Sequence, residues 1–322
     1  MKKEDLRIVY MGTPDFAVES LRCLVEGGYN VVAVITMPDK PVGRHGSVLQ
    51  PSPVKQYAVE HGLKVLQPEK LKDEAFVAEL RELKADLQIV VAFRMLPEVV
   101  WNMPPMGTFN LHASLLPQYR GAAPINWAVV NGDKETGITT FFLKHEIDTG
   151  EVIQQVRIPI LEEDNVGDVH DKLMMLGGKL VVETVDNILA GTVKSIPQEE
   201  MVTDEPLRPA PKIFKDTCRI NWNQPVTTLY NFVRGFSPYP AAWTELHQGN
   251  TVLTLKLYEV AKQPGTCNYP AGTVITDGKN ELKIAAADGY LVVKNLQLAG
   301  KKRMNVKDFL CGFKAAEGCF CE

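Results

Sequence analysis

Apolar residues fall along this chain in two rhythms, which change near residue 190. In the first part, short runs that are apolar on both faces, RIVYM (7–11) and NVVAVIT (30–36), alternate with stretches whose apolar positions recur every three or four residues. Further runs at 86–91, 107–111 and 138–143 predict strands, and amphipathic spacing predicts helices at 52–61, 73–84, 122–131 and 166–190. Between the first two strands, Thr13 is placed to cap a helix with Pro14 at its first position and Asp15 in its first turn. Ala17, Val18, Leu21, Leu24 and Val25 share one face of that helix, and Gly27-Gly28 ends it. The alternation predicts an α/β fold, an open and mostly parallel sheet with helices on both faces.

Beyond residue 190 the helical rhythm stops. GTVKSIPQEEMVTDEPLR (191–208) is polar, contains proline and has no periodicity, so it is expected to link two domains, 1–190 and 209–322. The second domain shows one helical stretch, TTLYNFVRGF, and then short alternating runs: TVLTLKLYEV, GTVITD, ELKIAAA and YLVVKNLQL. Short strands separated by Gly, Asp and Asn turns predict a small β-barrel, OB-like in size, or a sandwich.

Composition changes this picture little. The chain has 322 residues, 45% hydrophobic and 23% charged, as in ordinary globular proteins. Its opening MKKEDLRIVYMG is not expected to act as a secretory signal, and no apolar stretch approaches the roughly 20 residues that span a bilayer. A cytoplasmic protein without membrane contact is expected. Single cysteines at 23, 218 and 267 suit a reducing compartment. Cys311, Cys319 and Cys321 cluster without a CxxC pair or a nearby histidine, so no metal is expected there. The net charge of −4 is uneven: residues 209–322 hold 14 basic and 9 acidic groups, and residues 1–208 hold 21 and 30. A basic C-terminal third hints at a polyanion, though ordinary surfaces also show such excesses.

The sheet pattern is Rossmann-like, so its nucleotide loop is the first chemistry to test. MGTPDF after the first strand has one glycine where G-x-G-x-x-G needs three, which argues against a dinucleotide. Asn110 and His112 are more informative. Two apart on a strand they point the same way, from a strand end where open α/β sheets bind ligands. An amide and an imidazole side by side can stabilise negative charge on a carbonyl oxygen, as acyl transfer requires. Ser114 lacks the G-x-S-x-G elbow of a nucleophile, so the attacking group would belong to a second substrate. Asp148, in HEIDTGE, follows a strand and would orient His112 from another strand end. A single DTG in an α/β pattern does not make the paired carboxylates of an aspartic protease. Taken singly, each residue has an ordinary structural reading, the histidine as a satisfied core group and the aspartate as a turn former.

NLHASLLPQYRGAAPINWAVVNGDKETGIT, with the D-T-G downstream, resembles the signature of the folate-dependent formyltransferases. The likeness extends to MGTPDFA (11–17), PDKPVGR (38–44), PSPVK (51–55), FSPYPAAW (236–243) and LAGKKRM (298–304), and so covers essentially the whole chain. It implies formyl transfer from 10-formyltetrahydrofolate, as co-substrate and without a metal, to the α-amino group of methionine on initiator methionyl-tRNA. Asn110, His112 and Asp148 match the family's catalytic trio. Ser114, Leu115, Leu116 and Pro117 match its folate-binding segment, and VVAFRML (90–96), with Phe93-Arg94 in place of the commoner A-Y-G, matches the turn beside the pterin.

For the RNA, the resemblance points to the loop at 37–50, with Lys40 and Arg44, and to Lys301, Lys302 and Arg303 on the barrel. That loop has Gly46-Ser47-Val48 where relatives carry more lysines, and the basic run could equally be a solvated turn. A monomer is expected. Formylation of an amino-sugar nucleotide by the same chemistry is the alternative reading, with a purine precursor, a non-catalytic tRNA-binding protein and a folate hydrolase behind it. The PDKPVGR loop and the KKR run argue against the sugar, and a C-terminal barrel argues against the purine precursor.

Overall fold

Through residue 190 the chain runs β1 (Ile8–Gly12), α1 (Val18–Glu26), β2 (Val31–Ile35), β3 (Lys40–Val42), β4 (Val48–Gln50), α2 (Pro53–Glu60), β5 (Val65–Leu66) and α3 (Glu74–Glu82). It continues with β6 (Leu87–Val91), α4 (Glu98–Trp101), β7 (Thr108–His112), α5 (Pro124–Val130), β8 (Glu135–Phe142), β9 (Val152–Pro159) and α6 (Val166–Ala190). These are taken from a computed structural model that describes residues 1–43 and 46–322; Arg44 lies outside the described residues. Contacts divide the chain into two compact units. One comprises Met1–Pro124, Gly137–Ile158 and His170–Pro209, the other Ile125–Thr136, Pro159–Val169 and Ala210–Glu322.

The first unit is built on a sheet of order β5-β2-β1-β6-β7-β8-β9. The strands from β5 to β7 are parallel, and β8 pairs antiparallel with β7. Helices cover both faces, as the fully buried central strands β1 and β6 require. Val9 and Met11 pack in one cluster with Phe76, Val77 and Leu80 of α3, whereas Tyr10, pointing the other way, donates its hydroxyl to the Ala17 carbonyl before α1. Helix α6 meets the same sheet through a buried hydrogen bond between Thr140 and Thr184 (2.9 Å).

The start of the first helix differs from expectation. Its first turn is a tight 3-10 turn, Asp15–Ala17, without a side-chain cap, and the Thr13 hydroxyl instead accepts from the Met37 backbone N–H. Ser52 does cap α2, and Asp73 caps α3. The stretch 191–208 does more than link. Ile196 bridges to Val152, and Gln198 is fully buried in the first unit.

In the second unit the elements are α7 (Val226–Phe236), β10 (Ala242–Gln248), β11 (Thr251–Pro264), β12 (Val274–Thr276), β13 (Leu282–Ala286), β14 (Gly289–Leu298), β15 (Met304–Asn305), α8 (Val306–Gly312) and β16 (Phe320–Cys321). The sheet order is β12-β13-β14-β11-β10-β16, with β15 on β14. A bridge from Thr273 to Phe320 brings the two edges together, so the sheet nearly closes into a barrel rather than a sandwich. Gly272 sits on that seam with φ +88°, where a Cβ would lie 2.2 Å from the Cys321 carbonyl oxygen. Leu229, Val233 and Phe236 of α7 join the barrel core with Leu257, Ile284, Val293 and Leu296.

Candidate active site

Asn110 and His112 stand on one face of β7, opposite Leu111, which packs on Gly177 of α6. His112 is 7% exposed and Asn110 half-buried. Among the described residues no protein group is hydrogen-bonded to the Asn110 amide, which leaves it available to a ligand. His112 Nε2 lies 2.8 Å from the Tyr119 carbonyl oxygen and must donate to it. Its Nδ1 faces Asp148 Oδ2 at 3.9 Å, beyond direct hydrogen bonding.

Asp148 does lie beside His112, but the expectation that it reaches there from a strand end needs correction, since it sits in the loop between β8 and β9. Because β8 is antiparallel to β7, its last residue, Phe142, pairs with Phe109 at the start of β7. The loop after β8 therefore has to double back to reach His112. Asp148 itself has φ +56°, and its Oδ2 accepts from the Gly121 N–H (3.0 Å). Gly150 lies so close to β8 that a Cβ there would be 1.5 Å from the Phe142 carbonyl oxygen. The glycine of D-T-G is thus a packing requirement.

Behind His112 the chain makes a tight turn. The Ser114 hydroxyl donates to the Gln118 carbonyl (2.7 Å). Thr139 Oγ1 donates to the Ser114 carbonyl (2.6 Å), and Gln155 Nε2 to that of Leu116 (2.7 Å). Ser114, Leu116 and Pro117 are buried and Leu115 half-buried, so these residues build the turn and hold Tyr119 in place. After β6, Ala92 has φ +47°, and the Arg94 guanidinium donates to the carbonyls of Pro68 and Glu69 (2.7 Å to the latter). Burial lowers the Arg94 pKa from its ordinary value. Arg94 therefore braces a neighbouring loop, while Phe93 lies beneath it, with the guanidinium 5.6 Å from the ring centre.

Comparison with known proteins identifies the family. The profile of the formyl transferases matches residues 6–185, and that of the formyl transferase C-terminal domain matches residues 212–314. The chain belongs to the formyl transferase family. It is 71% identical over 316 residues to the methionyl-tRNA formyltransferase of Parabacteroides distasonis, covering 98% of each chain. It is likewise 71% identical over 319 residues to that of Bacteroides fragilis, again covering 98% of each. Among solved structures, an N-formyltransferase from Helicobacter canadensis, in complex with folinic acid and dTDP-3-aminofucose, shares the fold with a TM-score of 0.65 at 20% identity, covering 93% of this chain and all of that one.

In this formyl transferase, two motifs are explained by one ion pair. Asp39 of PDKPVGR meets Lys55 of PSPVK at 2.7 Å and also accepts from Gln67 (2.7 Å), fixing the base of the β3–β4 hairpin. The Lys55 ammonium, then Gln67, holds the Asp39 carboxyl below the usual carboxylate range. Lys40 is exposed on that hairpin, and Lys301, Lys302 and Arg303 are exposed on the barrel. Sequence reasoning missed Tyr119, Gly121, Arg120 and Gln198. The first three follow the SLLP motif directly, and that proximity was the available signal. Gln198 lies 50 residues from Asp148 in an aperiodic stretch and left none.

Proposed function

We propose that this formyl transferase moves the formyl group of 10-formyltetrahydrofolate onto the α-amino group of methionine carried by initiator tRNA. The observation that carries the reading is the Asn110, His112 and Asp148 constellation in a chain 71% identical to methionyl-tRNA formyltransferases over nearly their full length. The free Asn110 amide and the open Nδ1 edge of His112 fit a carbonyl ligand. The folate co-substrate supplies the activated formyl group. Because Nε2–H is committed to Tyr119, His112 donates to the formyl oxygen only from a protonated Nδ1. Asn110 donates beside it, so the two share the negative charge that builds as the amine attacks. On this reading Asp148 balances the imidazolium and passes the proton the amine loses towards N10 of the folate, as the formyl–N10 bond breaks and tetrahydrofolate leaves.

The turns at 92–94 and 114–117 would border the pterin through their backbones. Lys40, Lys301, Lys302 and Arg303, with Arg44, are assigned to the RNA. The reading places a monomer in the cytoplasm, and among the described residues no helix is long and apolar enough to cross a membrane. The test is formyl transfer to initiator Met-tRNA beside elongator Met-tRNA and an amino-sugar nucleotide. Rapid formylation of the initiator alone is expected; activity confined to the sugar would overturn the substrate.

A further inference from the structure

Gln198 is fully buried, and its single amide is used to capacity. Its Nε2 donates to the carbonyls of Asp148 and Gly150, each at 2.8 Å. Its Oε1 accepts from Arg120 Nε (3.0 Å) and Nη2 (2.7 Å). Arg120 stands between Tyr119, whose carbonyl orients His112, and Gly121, whose N–H holds the Asp148 carboxylate. One amide thus ties the backbone on the Asp148 side to the backbone on the His112 side. The segment carrying Gln198 is itself anchored, with Ile196 and Val152 exchanging backbone hydrogen bonds (2.9 and 2.8 Å) and Ser195 Oγ donating to Glu151 (2.5 Å).

We propose that Gln198, braced by Arg120, is a positioning residue for formyl transfer that sets the distance between Asp148 and His112. The inference rests on the role given to Asp148 under Proposed function. A left-handed backbone at Asp148 is an uncommon conformation for a residue with a side chain, and it needs outside support. The two N–H donors of Gln198 supply that support at the carbonyls of residues 148 and 150. Without them the carboxylate drifts relative to the imidazole, and misplacement of about 1 Å in such a site can cost about a hundredfold in rate.

A double-mutant cycle tests this on the full chain. Gln198→Ala is expected to lower kcat at least about tenfold, with KM for both substrates unchanged, since the Gln198 side chain is fully buried and its hydrogen-bonding groups are all taken by protein partners. In an Asp148→Asn background the same substitution should cost less than about threefold, because the group it positions is already disabled. Equal losses in both backgrounds, or a raised KM with kcat kept, would overturn the inference. Gln198→Glu, which keeps the side-chain size and the acceptor for Arg120 but loses both amide donors, gives the same readout should the alanine variant fold poorly. Normal turnover in Asp148→Asn alone would sink the role of Asp148 itself, a distinguishable failure.

Discussion

His112 turns one ring nitrogen to the Tyr119 carbonyl at 2.8 Å and the other to the Asp148 carboxylate at 3.9 Å. The ring's orientation is therefore fixed by backbone, and Asp148 contributes charge. Asn110→Ala and His112→Ala should each lower kcat about a hundredfold or more, as lost oxyanion donors do. Asp148→Asn should leave the ring in place and still lose turnover. Steady-state formylation assays check all three, and near-normal rates in Asn110→Ala would refute the oxyanion role.

The distance between what the sequence disclosed and what it hid has physical causes. Two-residue periodicity alone puts Asn110 and His112 on one face, because strand geometry is local. Asp148 could be singled out by its Thr-Gly turn, but the doubling-back of its loop depends on β8 being antiparallel, which no local pattern encodes. The strand β9, VIQQVRIP, hides its alternation behind two glutamines and a short exposed face. In the barrel, alternation was readable up to Leu257 and then slipped, because Tyr258 lies in a bulge and Val260 resumes the inward face.

Gly150→Ala isolates the packing role of the D-T-G glycine. A methyl group 1.5 Å from the Phe142 carbonyl oxygen meets backbone that cannot move aside. We expect destabilisation of at least about 1–3 kcal/mol, typical of overpacking, together with lost activity. Gly312→Ala, where a Cβ meets nothing within 4 Å, is the control and should unfold close to the parent temperature. Thermal unfolding of both variants decides it.

The cysteine tail should behave as graded thiols. Cys311 is exposed, whereas Cys319 and Cys321 are buried, and so is Cys218. Burial pushes the Cys218 thiol up to about 11 and raises Cys319 and Cys321 as well. A thiol reagent at neutral pH should label Cys311 first, and the buried three only after denaturation. Peptide mapping of the labelled protein checks the order.

Asp277 gives a stability dependence on pH. Its Oδ1 accepts from the N–H groups of Lys279 (2.9 Å), Asn280 (2.7 Å) and Glu281 (2.9 Å), with Glu281 the strongest influence, and its pKa is held down to about 2. The folded value lies below the ordinary unfolded value of about 3.9. Stability from this turn is therefore present above about pH 4 and is lost as the pH falls towards 2. The melting difference between the parent and Asp277→Asn should hold steady near neutrality and shrink below about pH 4.

The basic run of the barrel is not three equal charges. Arg303 lies 4.1 Å from the centre of the Tyr258 ring, and its Nε donates to Asn295 (2.5 Å), so its guanidinium is held ready before any ligand arrives. Tyr258 is itself fixed, donating to Gln297 (2.8 Å), whose amide donates to the Lys301 carbonyl (3.0 Å). Lys301 and Lys302 are exposed. If the run binds RNA phosphates, replacing all three by alanine should weaken tRNA binding and flatten its salt dependence by about 2–3 units of log–log slope. Turnover at saturating tRNA should be kept. Arg303→Lys alone should also weaken binding, because an ammonium lacks the planar fork that stacks on Tyr258. Binding isotherms across a salt series separate the outcomes: an unchanged slope would mean that the run is a solvated turn.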